Sequence, residues 1–223
     1  MTETNGNRTE ELDLQALAAS VLTGETRKIG FNLERYQKQA PQILEIFYKG
    51  EVLARGCPYM DDQETRDHLA KAAGWLQRLS QPKTGLLICG GVGNGKTTMA
   101  RALFKTIQKC NNIAFREITA ANFAQLEAQR DENRYNLVNI KQADFLLLDD
   151  LGVEPVSVKV WGNEVSPVAE LLTQRYHLQK FTIVTSNLKE IELEERYGAR
   201  VADRIREMFN VLTFRNESYR GRI

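Results

Sequence analysis

Cysteine and histidine are scarce in this sequence, and they do not cluster. Cys57, Cys89 and Cys110 stand far apart, with two histidines in the whole chain. That excludes ligand-spaced zinc cysteines and argues against a disulfide framework. Long apolar runs are also missing. No stretch reaches the roughly 18 apolar residues that a membrane-spanning helix needs. The polar start, Met1 to Glu11, lacks the apolar centre of a secretory signal, and Met1 to Arg8 is expected to be disordered. A surplus of one charge is absent too. The net charge of +1 gives no global argument for nucleic-acid binding, so any basic surface must be local. A cytoplasmic protein with no membrane contact is the expectation.

What is present is an ordinary globular composition, 42% hydrophobic and 26% charged, over 223 residues. This suits one sizeable α/β domain with a smaller appendage. From Glu10 to Leu22 the apolar residues Leu12, Leu14, Leu17, Ala18 and Val21 recur at helical spacing. Pro41 suits a first helical turn. Ile43, Leu44, Ile46, Phe47, Val52 and Leu53 continue a helical pattern that Gly50 interrupts, and Gly56-Cys57-Pro58 breaks it. The domain boundary is placed there: a helical region at 1–56, then a larger domain at 57–223.

Beyond a helix from about Asp62 to Leu79 and a turn at Gln81 to Thr84, the rhythm changes. Apolar runs at Gly85–Cys89, Ile113–Ile118, Phe145–Leu148, Thr182–Thr185 and Val211–Phe214 are separated by helical segments. Those segments are Lys96–Cys110, Ala120–Arg130, Ser166–Gln179 and two short helices near the end. Apolar strands joined by helical crossovers predict a mainly parallel sheet covered on both faces.

The first run opens into Gly90-Gly91-Val92-Gly93-Asn94-Gly95-Lys96-Thr97-Thr98. This is Gly-x4-Gly-Lys-Thr between a strand and a helix whose Met99, Leu103 and Ile107 share a face, the context of a phosphate loop. Four glycines let the backbone turn and bring its N–H groups to phosphates, and the helix N-terminus adds positive charge. Gly91, Val92, Gly93, Asn94, Gly95, Lys96, Thr97 and Thr98 are therefore expected to bind ATP. Lys96 would reach the β- and γ-phosphates and the Thr97 hydroxyl would ligate Mg²⁺. A glycine-rich turn with a chance lysine is the bland alternative. Cys89, just before the loop, reads as a buried strand residue.

The run Phe145 to Leu148 ends in Asp149-Asp150. Ligands of open α/β sheets sit beyond the carboxyl ends of strands. Asp149 is expected to hold Mg²⁺ through water, and Asp150 to orient or deprotonate the attacking water. The alternative is a plain Asp-Asp-Leu-Gly turn. Many ATPases of this type carry Glu where Asp150 stands, and the shorter side chain suits slow hydrolysis. The run Thr182 to Thr185 leads to Ser186-Asn187, whose carboxamide suits a γ-phosphate oxygen and a water. An Asn that caps the next helix is the local alternative.

Phosphate loop, Asp149-Asp150 and Thr185-Ser186-Asn187-Leu188 follow one another in the order of the AAA+ ATPases. Three stretches resemble the DnaC/DnaI helicase loaders and the IstB transposition-helper ATPases more closely. They are Arg175-Tyr176 with Phe181 to Leu188, Tyr197 to Ile205, and Leu212 to Arg220. The resemblance implies a P-loop NTPase with an AAA+ core over 57–223 and an ATPase activity. Asn187 matches the family's sensor-1 residue and Arg204 its arginine finger, which acts on ATP held by a neighbouring copy in an ATP-dependent homo-oligomer. Arg200, one helical turn earlier, would face the same interface. Read without the family, both arginines belong to a solvated helix face. The chain stops at Ile223, with no room for the helical lid of many AAA+ proteins, so no lid-borne sensor-2 arginine is expected.

From Arg196 to Ile223 seven arginines face three acidic residues. They suit a DNA backbone, a subunit interface, or the finger with its neighbours. Trp161-Gly162-Asn163 is a candidate DNA contact, although core packing is the commoner fate of a tryptophan. The apolar stripes of the N-terminal helices either pack on their own domain or dock on a partner. The leading functional expectation is a DNA replication protein of the helicase-loader type, binding single-stranded DNA and a replicative helicase. The alternative is an ATP-dependent DNA-targeting helper of a transposase, and a small-molecule kinase stands third.

Overall fold

The computed structural model describes residues 13, 15, 29–78 and 83–219. The expected helix from Glu10 to Leu22 and the expected disorder at the start thus fall, but for Asp13 and Gln15, outside the described residues. So do Gln81 and Pro82 of the expected turn.

Seven strands are described: β1 (Gly85–Gly90), β2 (Arg116–Thr119), β3 (Phe145–Leu151), β4 (Val158–Val160), β5 (Asn163–Val165), β6 (Phe181–Ser186) and β7 (Phe209–Phe214). Five of them form one sheet in the order β2-β3-β6-β1-β7, with every pairing parallel. β4 and β5 form a separate antiparallel hairpin. The central strands are apolar along their length because a parallel sheet is covered on both faces.

Among the described residues eight α-helices have defined bounds: α1 (Ala40–Leu53), α2 (Gln63–Leu76), α3 (Lys96–Asn111), α4 (Ala120–Ala128), α5 (Arg134–Gln142), α6 (Pro167–His177), α7 (Glu190–Tyr197) and α8 (Ala199–Met208). Alternation along β1 splits the core. Leu86 and Ile88 pack with Leu44, Tyr48, Trp75, Met99 and Leu103 of α1, α2 and α3. Leu87 and Cys89 pack with Phe123, Leu171, Leu172, Ile205 and Met208 of α4, α6 and α8.

α1 starts with Pro41 in its first turn, where a missing N–H costs nothing. Its buried Ala40, Leu44 and Tyr48 lie in the same core as α3, and its buried Glu51 pairs with Lys105 of α3. Of the two fates read for this apolar stripe, packing on its own chain is the one seen, while Ile46 and Leu53 stay exposed. Gly50 does not break the helix. Two elements escape the sequence reading. α5 buries only Leu137 and Ile140, and the β4–β5 hairpin has strands too short for a periodicity to register.

Candidate functional site

The phosphate loop hangs between β1 and α3, and its shape depends on Gly90. This residue has φ +152°, and a Cβ on it would stand 2.3 Å from the Phe214 carbonyl oxygen and 2.5 Å from Asn94 Nδ2. β7 therefore presses so closely that a side chain is excluded. Gly95 is the N-cap of α3 and has no side chain to cap the first-turn N–H groups of the helix. They are donors suited to an anion. Lys96 is only 5% exposed, and its ammonium donates to the carbonyls of Gly90 (2.9 Å) and Gly91 (2.6 Å) and to Asn94 Oδ1 (3.2 Å). Asn94 in turn donates to the Phe214 carbonyl at 3.2 Å. The cation is thus held inside the curl of the loop.

The acidic strand end closes onto the same loop. Asp149 Oδ1 accepts from Thr97 Oγ1 at 2.9 Å and from Thr185 Oγ1 at 2.6 Å. The N–H of Asp150 donates to Thr185 Oγ1 at 2.9 Å. Thr185 was not foreseen. It lies two residues before Asn187 and locks both aspartates. Asp150 adopts φ +56°, a left-handed conformation that Asp tolerates better than most residues. Asn187 is exposed and lines the cleft with Asp150. It does not cap α7. The N-cap is Lys189, whose N–H donates to Glu192 Oε2 at 2.6 Å.

Val92 to Thr98, Asp150 and Asn187 border a cleft of about 570 Å³, a size that suits a nucleotide. Its far wall was not legible in the motifs. Tyr48 of α1, Arg55, Tyr59, Met60 and Thr65 of α2 line it, together with Tyr219. The Tyr219 N–H donates to the Gly93 carbonyl at 2.9 Å, and its hydroxyl meets Thr65 Oγ1 at 3.2 Å. Tyr48 and Tyr59 meet edge to face at 6.4 Å. Burial above all, then the neighbouring Tyr219, holds the Tyr48 phenol well above its ordinary pKa, so it stays neutral. The donor set fits Mg-ATP: loop and helix N–H groups, a buried lysine, and a hydroxyl meeting a carboxylate, the hard oxygen ligands Mg²⁺ takes beside phosphate. Among the described residues no cluster of three or more His, Cys, Asp or Glu offers a separate metal cage.

Residues 65–223 match the family model of IstB-like ATP binding proteins. The chain belongs to that family. A solved DnaC helicase loader is 25% identical, with a TM-score of 0.58, covering 70% of this chain and 93% of its own. DnaI shares the fold at 21% identity and a TM-score of 0.56, covering 72% and 87%. AMPPCP-bound DnaA from Aquifex aeolicus shares it at 22% and 0.51, although the match spans 70% of this chain and 48% of that one. No curated protein matches. The fold of this IstB-like chain is that of the AAA+ P-loop proteins, and its family binds ATP.

Arg204 does not join the cleft of its own chain. From α8 its Nη1 donates to Thr173 Oγ1 of α6 at 2.9 Å, and its guanidinium lies 5.6 Å from the Tyr176 ring centroid. Arg200 on the same helix is exposed. The arginine-rich ending is partly neutralised within the chain: Arg206 pairs with Glu190 and Glu194, and Arg196 with Glu154. Trp161 departs from the core packing typical of its type. It is 70% exposed at the tip of the β4–β5 hairpin, with Arg130 at 5.6 Å from its ring centroid and its Nε1 donating to Asp131. Cys89 is buried as read, and burial raises its thiol to about 11. Among the described residues no helix is long and apolar enough to cross a membrane.

Proposed function

We propose that this protein is an Mg-ATP-hydrolysing ATPase of the helicase-loader type, which assembles with copies of itself on single-stranded DNA and acts on a replicative helicase in the cytoplasm. The observation that carries this reading is the convergence of Lys96, Thr97, Asp150 and Asn187 on one cleft beside the phosphate loop, with Asp149 hydrogen-bonded to Thr97 behind them. Loop N–H groups and Lys96 bind the phosphates. Thr97 and Asp149 would hold Mg²⁺, which neutralises phosphate charge when bound. Asp150 orients the attacking water and accepts its proton, and Asn187 donates to a γ-phosphate oxygen.

Arg204 acts in trans on the cleft of a neighbouring copy, in keeping with its place outside its own cleft. The exposed Trp161, backed by Arg130, supplies a stacking face for a DNA base, and the exposed Arg200 and Arg215 add charge. The N-terminal region, residues 1–56, grips the helicase. A second reading is compatible with the match to IstB-like ATP binding proteins: an ATP-dependent DNA-targeting helper of a transposase, which would coat duplex DNA.

Turnover measured against protein concentration separates these readings. A rate per subunit that rises with concentration and with single-stranded DNA supports the loader. A rise with duplex alone moves the reading to the transposition helper. A constant rate indifferent to both DNAs sinks both and points to a monomeric P-loop enzyme.

A further inference from the structure

Glu154 is a carboxylate that the nucleotide chemistry does not use, yet it is 2% exposed on a loop four residues beyond Asp150. Its two oxygens serve different elements. Oε2 accepts from the N–H of Gly152 at 2.8 Å, inside the turn that follows β3. Oε1 accepts from the Tyr197 hydroxyl at the last residue of α7. The Glu154 carbonyl accepts from Arg196 Nη2, and Arg196 Nε stands 4.0 Å from Oε1. Burial, then the hydrogen bond to this carboxylate, holds the Tyr197 phenol far above its ordinary pKa, so it is a permanent donor.

The stretch between Asp150 and Glu154 is stiff. Ser186 Oγ donates to the Leu151 carbonyl at 2.7 Å. Gly152 has φ +102°, and a Cβ there would stand 2.4 Å from Leu188 Cδ1. Asp150 and Glu154 are therefore joined by a short, closely packed turn. On the other side, only Gly198 separates Tyr197 from α8, which bears Arg200 and Arg204. The path from the cleft to the arginines is a short run of backbone joined by the hydrogen bonds of Glu154, a physical connection between two sites.

We propose that Glu154 is a positioning residue that couples a subunit's own nucleotide cleft to helix α8, and so sets the arginines that serve the neighbouring copy. This rests on the reading of Arg204 as acting in trans.

Mixed subunits test it. Lys96→Ala chains lack a working cleft but keep Arg204, and Arg204→Ala chains have the reverse defect. Together they restore turnover at the interfaces where an intact cleft meets an intact arginine. The decisive mixture joins Arg204→Ala chains to Lys96→Ala chains that also carry Glu154→Ala or the milder Tyr197→Phe. There the altered residue sits only in the subunit that lends its arginine. Turnover about threefold to tenfold below the reference mixture is expected. In the otherwise native chain, Tyr197→Phe lowers kcat at an unchanged KM for ATP and an unchanged melting temperature. Full turnover in the mixtures with both altered donors overturns the coupling and leaves Glu154 a prop for its own loop. Failure of the reference mixture itself overturns the trans arginine, and the coupling with it.

Discussion

Two cations are buried at opposite ends of the parallel strands, and they teach different things. Arg175, on α6, is fully buried at the amino ends. Its Nε donates to Thr182 Oγ1 (2.8 Å), Nη1 to the Ala143 carbonyl (2.8 Å), and Nη2 to the carbonyls of Phe181 (2.7 Å) and Asp144 (3.4 Å). Burial brings it down to about 9, so it is still charged at neutral pH. Lys96, at the carboxyl ends, likewise donates to carbonyls, but beside a cleft. A guanidinium is a rigid fork that joins several acceptors at once, whereas an ammonium is a mobile point charge. The fork ties strand ends together. The point charge can leave its carbonyls for a phosphate.

The largest effect expected from breaking this contrast is on turnover. Lys96→Ala should lose about 10²- to 10³-fold in ATP hydrolysis while unfolding near the native midpoint in urea. An unaltered rate would falsify the phosphate-loop reading. Asp150→Asn should lose roughly a hundredfold yet still bind a fluorescent ATP analogue; loss of binding instead would assign Asp150 to the ground state. Arg175→Met reverses the pattern. Stripping buried carbonyls of their donor costs ~1–3 kcal/mol each, so about 3 kcal/mol or more of stability should go, with turnover per folded molecule retained. Arg175→Lys should not recover it, because an ammonium cannot span the fork. Native-like stability in that variant would erase the distinction between the two cations.

The smallest effect concerns His68, which stacks on Phe214 at 3.8 Å beneath the same loop and has an unpartnered Nδ1. Burial first, then Lys71, lowers its pKa below 6.5. The unfolded chain therefore takes up a proton at a higher pH than the folded one, and stability falls as pH drops through and below that value. The melting temperature of His68→Phe should fall less steeply with acid than that of the native chain. An identical pH profile would show that His68 carries none of the dependence.

The parallel sheet was legible because its strands are apolar runs between turn residues, and the phosphate loop because its glycines and lysine have fixed spacing. Asp149, Asp150 and Asn187 were legible as polar residues directly after such runs. Thr185 was not, since a threonine inside a β-branched strand looks like strand propensity. Tyr48, Thr65 and Tyr219 reach the cleft from far along the chain, and no local pattern announces a wall assembled across about 170 positions. Glu154 reads as one more surface acid until its burial is known. Trp161 misled in the other direction: a two-residue turn places it in solvent, against the habit of its side chain.

The order of the sheet also dictates when the cleft comes into being. β1 pairs with β6 and β7, both drawn from beyond residue 180, and the Phe214 carbonyl braces Gly90 and Asn94. A ribosome that has released the whole phosphate loop has not yet released either strand that flanks it. Contacts of such long sequence separation form late. The nascent chain therefore carries a recognisable ATP motif before its ATP site can close, and that closure waits for β7.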